Sequence, residues 1–224
     1  DFSPLDDGGN GFLDPSFLAP NVSSDSGLVR YGLQNAGNPA ANAWGGRGWS
    51  STATSAEEEL AVGRYFEFDL KAGPGTTISL SRIKAFNVRR SETGPSMGQL
   101  QFLVNNEGDP TWMNLGGPIS WGSVLTAPGN PQPEVDLSGF AQLQNVASGV
   151  RIDFRIVCWG ASGSTGTWYL NDPENDLDLD FVIEGSTTSG LDYAAWISGY
   201  DVEGQDGFTE DFDKEIGRAS CRER

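Results

Sequence analysis

Apolar and charged residues alternate along residues 149–159, and this alternation is the clearest pattern in the chain. In an extended chain, successive side chains point to opposite faces, so the apolar residues would share one face and the charged residues the other. These two sets are Ile152, Phe154, Ile156 and Cys158, and Arg151, Asp153 and Arg155. A helix would scatter the same residues around its axis. The pattern therefore predicts a central strand of an antiparallel sheet, with one face on the core.

The same period of two recurs in segments that are separated by turn residues. It predicts strands over residues 64–70, 76–80, 98–104, 111–115 and 177–183. The segment 76–80 starts a longer extended stretch, and the phase of its alternation shifts near Ser81 and Arg82, which predicts a β-bulge. Residues 140–146 are predicted to form one or two helical turns. About nine or ten short strands are expected in total.

Many short strands, together with 30 glycines and 12 prolines, favour an all-β fold. We predict an antiparallel β-sandwich of jelly-roll-like form with a short C-terminal helix. The helix is expected from the spacing of apolar residues over 191–200. We predict four regions. An irregular lead-in (1–27) is followed by the β-sandwich domain (28–185). Residues 186–214 contain a linker, the helix and a truncated acidic calcium-loop-like segment, and residues 215–224 are a non-native end.

The last ten residues, 215–224, resemble the translation of a short-read sequencing adapter. The codons GAG-ATC-GGA-AGA-GCG-TCG-TGT-AGG-GAA-AGA encode them in order. We therefore expect the natural sequence to be cut at Lys214. Because the chain begins with Asp1 and not with Met, we expect its amino end to be missing or processed as well. Since Cys221 falls within this end, Cys158 is interpreted as a lone small core residue, and no intrachain disulfide is expected.

The chain is strongly acidic, with 31 Asp and Glu against 14 Lys and Arg and a net charge of −17. This charge argues against nucleic acid or an anionic membrane as a partner, and it favours cations or neutral ligands. No apolar run approaches the roughly 20 residues of a membrane span. The absence of histidine excludes Ser-His-Asp triads and His-based zinc sites.

Three stretches resemble a known family: residues 42–49 (NAWGGRGW), 86–95 (FNVRRSETGP) and 166–171 (GTWYLN). They are similar to the jelly-roll-like passenger domain of exported bacterial proteins that end in a PEP-CTERM sorting signal. The resemblance covers residues of about 30 to 185. It implies export and an extracellular or cell-surface location.

In related chains, a terminal helix is often followed by an Asp-x-Asp-x-Asp-Gly segment that is similar to calcium loops. Here Asp206, Asp211 and Asp213 fit the opening of such a loop, because Ca²⁺ prefers six to eight oxygen ligands. Calcium is thus the one candidate cofactor, and a solvated acidic tail is the alternative. A second acidic run, residues 171–180, is interpreted as an exposed charged face compensated by arginines, with a cation site as its alternative.

Two kinds of side chain suggest a glycan ligand. Trp112 and Trp121 lie near predicted loops and are the candidate sugar-binding residues, because aromatic faces stack on sugar rings; Trp44, Trp49 and Trp168 are assigned to the core. Glu67 and Asp69 share a strand face and could in principle act as a catalytic pair, although acids two apart on a strand are common.

The function predicted from the sequence is that of a non-catalytic exported surface or matrix domain that adheres to or binds extracellular polysaccharide. A purely structural surface module without a ligand is the first alternative. A glycan hydrolase or lyase is the second.

Overall fold

A computed structural model of the chain describes Leu5 and residues 12–35, 41–105, 111–174 and 178–189. These residues all belong to one compact unit, Asp1–Gly190. They contain sixteen strands, one α-helix and one 3₁₀-helix. The fold is therefore all-β, as the alternating pattern predicts.

The strands are, in chain order, β1 (Phe12–Leu13), β2 (Val22–Ser23), β3 (Leu28–Tyr31), β4 (Ala43–Arg47), β5 (Tyr65–Ala72), β6 (Thr76–Ile83), β7 (Phe86–Arg90), β8 (Met97–Asn105), β9 (Met113–Asn114), β10 (Ile119–Ser120), β11 (Asn130–Gln132), β12 (Val135–Asp136), β13 (Val146–Ala147), β14 (Arg151–Trp159), β15 (Thr167–Asn171) and β16 (Ile183–Ser189). The α-helix α1 spans Ala56–Ala61, and the 3₁₀-helix spans Ala141–Leu143 within the segment predicted to form helical turns.

The strands form three sheets, and every described pair of strands is antiparallel. The main sheet has the order β1-β3-β5-β14-β8-β10, with β2 beside β5 and β9 beside β8. The second sheet has the order β11-β7-β15-β4. In the third sheet, β12, β13 and β16 all pair with β6.

The predicted central strand is β14, which lies between β5 and β8 in the main sheet. Its four predicted inward residues are all buried, at 0–2% exposure. Cys158, one of them, is a buried free thiol whose pKa burial raises well above its ordinary value, which confirms its interpretation as a core residue.

An aromatic cluster joins the main sheet to the second sheet. The ring of Phe66 on β5 lies 5.0 Å from Trp44 and 5.5 Å from Trp168, which belong to β4 and β15. Trp49, in the loop after β4, packs edge-on against the same ring at 5.3 Å. The three tryptophans are fully buried, as predicted. Large aromatic rings at such distances contribute strongly to core stability, so Phe66 lies at the centre of the fold.

The bulge predicted near Ser81 is present. Glu184 of β16 lies opposite Arg82 of β6, whereas the next residue, Gly185, lies opposite Leu80, so Ser81 has no partner in the β16 ladder. One extra residue on β6 shifts the faces of the strand by one position, which explains the break in the alternation.

The last strand differs from the prediction of residues 177–183. Residues 178–182 are not a strand, and β16 runs through Ser189, well into the predicted linker. Its sequence is rich in Ser, Thr and Gly and does not alternate, yet its backbone pairs along most of β6. The hydrogen bonds between paired strands use only backbone groups, so a strand without alternating side chains cannot be recognised from the sequence pattern. Strands β1 and β2 likewise lie within the predicted irregular lead-in.

Helix α1 is absent from the sequence-based prediction, although its start carries a recognisable signal. Ser55 is the N-cap, and its hydroxyl accepts a hydrogen bond from the backbone N–H of Glu58. The Glu58 carboxylate in turn accepts from the backbone N–H of Thr54 at 2.6 Å. This reciprocal arrangement is close to a capping box, for which Ser-x-x-Glu is the sequence pattern.

Within the described ranges, no helix is long and apolar enough to cross a membrane. The C-terminal helix predicted over 191–200 lies outside the residues that the structure describes.

Candidate functional site

The outer face of the main sheet, opposite the core, brings polar and aromatic side chains together from five strands. Strand pairing places Tyr31 opposite Tyr65, Glu67 opposite Arg155, and Arg155 opposite Gln101. These residues lie on the outer face because their neighbours in sequence, such as Phe66 and Ile156, point into the core. We call this surface the outer polar face: Tyr31, Tyr65, Glu67, Gln101, Trp112, Asn114 and Arg155.

Arg155 lies between two aromatic rings on this face. Its guanidinium carbon is 3.9 Å from the centre of the Trp112 ring and 5.8 Å from the centre of the Tyr65 ring. Tyr65 stacks in turn on Tyr31, with ring centres 4.7 Å apart and planes inclined by 20°. Tyr31, Tyr65, Arg155 and Trp112 therefore form one row of flat groups, which we call the stacked row.

Hydrogen bonds hold the arginine of the stacked row in place. Arg155 Nε donates to Gln101 Oε1 at 2.6 Å, and Gln101 Nε2 donates to Asn114 Oδ1 at 2.6 Å. Burial lowers the pKa of Arg155, and the nearby Tyr65 and Glu67 oppose this effect. A guanidinium that is fixed by an amide and packed on an indole ring is rigid, which orients Trp112 as well.

Glu67 is the half-buried acid of the outer polar face. Burial raises its pKa, and the negative charge of Asp153 on the adjacent strand raises it further. Arg151 and Arg155 act in the opposite direction. The pKa stays above the ordinary value because the desolvation of the carboxylate outweighs its attraction to the arginines.

Asp153 and Asp69 are directly opposite each other on β14 and β5 and are almost fully buried. Asp153 pairs with Arg151, whose Nε lies 2.6 Å from its Oδ1, and accepts a hydrogen bond from the side-chain amide of Asn105. Burial nevertheless raises the pKa of Asp153. Both oxygens of this carboxylate are therefore occupied by neighbouring side chains.

Asp69 holds the turn that precedes β3. Its carboxylate accepts hydrogen bonds from the backbone N–H groups of Asp25 and Ser26, at 3.0 and 2.9 Å, and from the Ser26 hydroxyl at 2.6 Å. Burial alone would raise the pKa of Asp69, but these donors lower it below the ordinary value. The structure thus gives Asp69 an architectural role. Of the predicted pair of acids, Glu67 is the member on the outer polar face.

Replacing Asp69 by Asn should lower the free energy of unfolding by about 2 kcal/mol at pH 7, because charge-assisted hydrogen bonds to the turn are lost. In the parent chain, this stabilisation is expected to be present above the unfolded pKa, near 4, and to be lost as the pH falls through the lower folded value. Urea denaturation at pH 7 and at pH 3 measures both effects. Equal stability of the variant and parent at pH 7 would contradict the assigned role.

The two tryptophans predicted to bind ligand have different environments. Trp112 is partly exposed and belongs to the stacked row. Trp121 is fully buried, with its ring 5.1 Å from that of Trp168, so the prediction that it binds sugar is corrected. The reason is Gly98: a Cβ at this position would lie 2.0 Å from the Trp121 ring, so the glycine makes room for the indole in the core. A loop position alone could not reveal this contact.

The predicted calcium ligands Asp206, Asp211 and Asp213 lie outside the described residues. Among the described residues, no group of three or more acidic or cysteine side chains is arranged to hold a metal ion. Asp178 and Asp180, from the second acidic run, lie in a segment that is not a strand, so the predicted row of acids on a strand face is not formed there.

Comparison of the chain with protein-family models, with curated proteins and with solved structures finds no match. The function must therefore be argued from the site itself.

Proposed function

We propose that this chain is a non-catalytic polysaccharide-binding domain of an exported surface or matrix protein, built as a jelly-roll-like β-sandwich. The observation that carries the proposal is the stacked row on the outer polar face, in which Trp112, Arg155, Tyr65 and Tyr31 follow one another across the main sheet. The sandwich form is supported by a core cluster to which all three sheets contribute.

The chemistry of the stacked row suits a sugar chain. Aromatic faces pack on the C–H groups of sugar rings, and amide, carboxylate and guanidinium groups bond their hydroxyls. Asn114 and Glu67 provide such polar groups beside the row. Gln101 is buried, and its role is to hold Arg155 in place. From β3 to β9 the face crosses four strand spacings, about 19 Å, which is long enough for several sugar residues.

The charge of the face favours a neutral polysaccharide. Arg155, the basic residue of this face, lies opposite Glu67, and the neighbouring Arg151 is paired with Asp153. The chain as a whole carries a net charge of −17. A polyanionic glycan would be repelled by this field, whereas a neutral glycan would not.

Two parts of the proposal rest on the sequence. The extracellular or cell-surface location follows from the resemblance to PEP-CTERM-sorted proteins. Calcium binding by Asp206, Asp211 and Asp213 follows from their spacing in an acidic segment. Isothermal titration of residues 1–214 with CaCl₂ tests the second point, because a solvated tail would give no saturable heat.

Replacing Trp112 by Ala should weaken binding to a neutral polysaccharide about tenfold, because the stacked row loses the ring at one of its ends. A tenfold change corresponds to about 1.4 kcal/mol. Affinity electrophoresis against a panel of neutral and acidic polysaccharides measures the effect. Phe12→Ala is the matched control, since Phe12 is an aromatic residue that is 61% exposed on β1. Equal retention of the Trp112→Ala and Phe12→Ala variants would contradict the assignment of the row.

The alternative functions predict different outcomes. A purely structural module would show no retention by any polysaccharide. The hydrolase alternative is favoured by one observation, the raised pKa of Glu67, which a general acid requires. In that case the chain would release new reducing ends from the glycan, and Glu67→Gln would abolish the release.

A further inference from the structure

A cavity of about 720 Å³ lies beside β5 and shares no lining residue with the stacked row. Its walls come from β5, β6 and β16, from residues 13–28, which include β2, and from residues 179–182. Apolar side chains dominate the lining, among them Leu28, Phe68, Leu70, Ile78, Leu80 and Phe181. The volume lies within the range of about 300 to 1,000 Å³ that is typical of small-molecule sites.

The deeper side chains of this cavity belong to the hydrophobic core. Phe68, Ile78 and Leu80 are only 2–8% exposed. Phe68 packs edge-on against Phe181, with ring centres 5.7 Å apart. Water in such surroundings finds few hydrogen-bond partners, so an apolar guest would be favoured over water.

Exposed apolar side chains gather at the same cavity. Eight large hydrophobic residues are exposed among the described parts of the chain, and three of them line the cavity: Phe17 at 65%, Leu179 at 43% and Leu18 at 38%. A single exposed apolar residue is ordinary, whereas a group beside an apolar cavity is typical of a binding site. These residues would be covered by a ligand that fills the cavity.

The wall formed by residues 13–28 is held in a defined position. Asp69 fixes the turn at Asp25 and Ser26 through its carboxylate. Gly27 has a φ of +55°, and a Cβ at this position would lie 2.3 Å from the carbonyl oxygen of Leu13. Only glycine permits this close approach of the two backbone segments. The fold therefore fixes the position of this wall of the cavity.

The charged residues around the cavity restrict the charge that a ligand can carry. Asp14, Asp69 and Glu184 line it, and no Lys or Arg does so in the part of the chain that the structure describes. The nearby Arg82 is already paired with Glu184 at 2.7 Å and with Glu134 at 3.1 Å. A carboxylate or phosphate head group would therefore meet acids and no cation, which disfavours fatty acids and phospholipids.

We propose that this cavity binds an uncharged, largely apolar small molecule, with an aliphatic or aromatic body and at most a neutral polar head. Hydroxyl groups of Ser24, Ser81 and Ser186 at the lining would suit an alcohol. The site is separate from the stacked row, so the proposal does not depend on polysaccharide binding.

The test compares two fluorescent probes that share a ring system and differ in charge. N-phenyl-1-naphthylamine is neutral, and 1-anilinonaphthalene-8-sulfonate is anionic. The neutral probe is expected to bind one site saturably, and at least tenfold more tightly than the anionic probe. Decanol should displace the neutral probe, whereas decanoate at pH 8 should not. Absence of saturable binding, or equal binding of the two probes, would overturn the proposal.

Two double variants show whether the probe occupies this cavity. Phe17→Ala with Leu179→Ala removes two exposed side chains of the lining and should weaken binding of the neutral probe at least fivefold. Val124→Ala with Leu125→Ala is the matched control, because both residues are 42% exposed and neither lines the cavity. The control should bind as the parent does. Equal affinities of the two double variants would refute this location.

A thermal unfolding series distinguishes binding of the probe to the native state from binding to partly unfolded protein. A ligand that binds the native state raises the midpoint of unfolding with its concentration. The neutral probe should raise the midpoint of the parent chain, and a lowered midpoint would count against the proposal. Because the four replaced side chains are exposed, both double variants should unfold cooperatively near the parent midpoint.

Discussion

Replacing Phe66 by Ala should lower the free energy of unfolding by about 4 kcal/mol. Phe66 is fully buried, and its ring contacts those of Trp44, Trp49 and Trp168 within 5.5 Å. The loss of these contacts would leave a cavity that rigid indole rings cannot easily fill. Urea denaturation at constant pH, followed by tryptophan fluorescence, measures the change.

Phe12→Ala is the control for this experiment, because the same atoms are removed from a side chain that is 61% exposed. Its effect should stay within about 0.5 kcal/mol. A cost below about 1 kcal/mol for Phe66→Ala would mean that the main and second sheets do not meet at this ring. The assigned core would then be incorrect.

Replacing Glu59 by Gln should raise the free energy of unfolding by about 3 kcal/mol at pH 8 and leave it nearly unchanged at pH 4.5. Glu59, on α1, is fully buried. Its Oε1 accepts a hydrogen bond from the Ser50 N–H at 2.8 Å, whereas its Oε2 is buried without a hydrogen-bond partner. Burial raises the pKa of Glu59 to about 7, although the Ser50 N–H and the charge of Arg64 oppose this.

The sign of the effect follows from this raised pKa. The folded state binds the proton more tightly than the unfolded state, whose Glu59 titrates near 4.5. The stabilisation is therefore fully present below pH 4.5 and is lost as the pH rises through about 7. Each pKa unit corresponds to about 1.4 kcal/mol, which gives the expected value at pH 8. Gln resembles the neutral acid and keeps an acceptor for Ser50.

Urea denaturation of the parent and of Glu59→Gln at several values of pH between 4.5 and 8 tests this prediction. The matched control is Glu57→Gln, which changes an exposed acid on the same helix and should give no gain at pH 8. Equal pH dependence of Glu59→Gln and the parent chain would show that Glu59 ionises at its ordinary pKa in the fold, against the prediction.

Local patterns anticipated much of the sheet structure. The alternation over 149–159 corresponds to β14, and the break near Ser81 corresponds to the bulge in β6. Both are properties of a few neighbouring residues, because the side-chain period of a strand is two and a bulge shifts it by one. The bounds of β16 were not predicted, because its residues do not alternate between apolar and polar and its position is determined by pairing with β6.

The candidate site could be predicted only in part. Trp112 lies near a loop and is partly exposed, and its predicted sugar binding stays a prediction. Trp121 has a similar loop setting, but Gly98 makes room for its ring in the core. The alternation of apolar and polar residues predicts that Glu67 and Arg155 lie on the outward faces of their strands. Nothing local indicates that these two residues lie opposite each other, since they are far apart along the chain.

The sequence by itself determined the all-β class, the outward and inward faces of β5, β8 and β14, and the strongly acidic character of the chain. These properties depend on residue type and on spacings of one or two positions. Only the tertiary structure decided the strand order β3-β5-β14-β8, which brings Tyr31, Tyr65 and Arg155 into one row beside Trp112. It also decided the cavity beside β6 and β16. Both features require segments that are distant in sequence to pair, and that pairing is selected by the burial of the whole core.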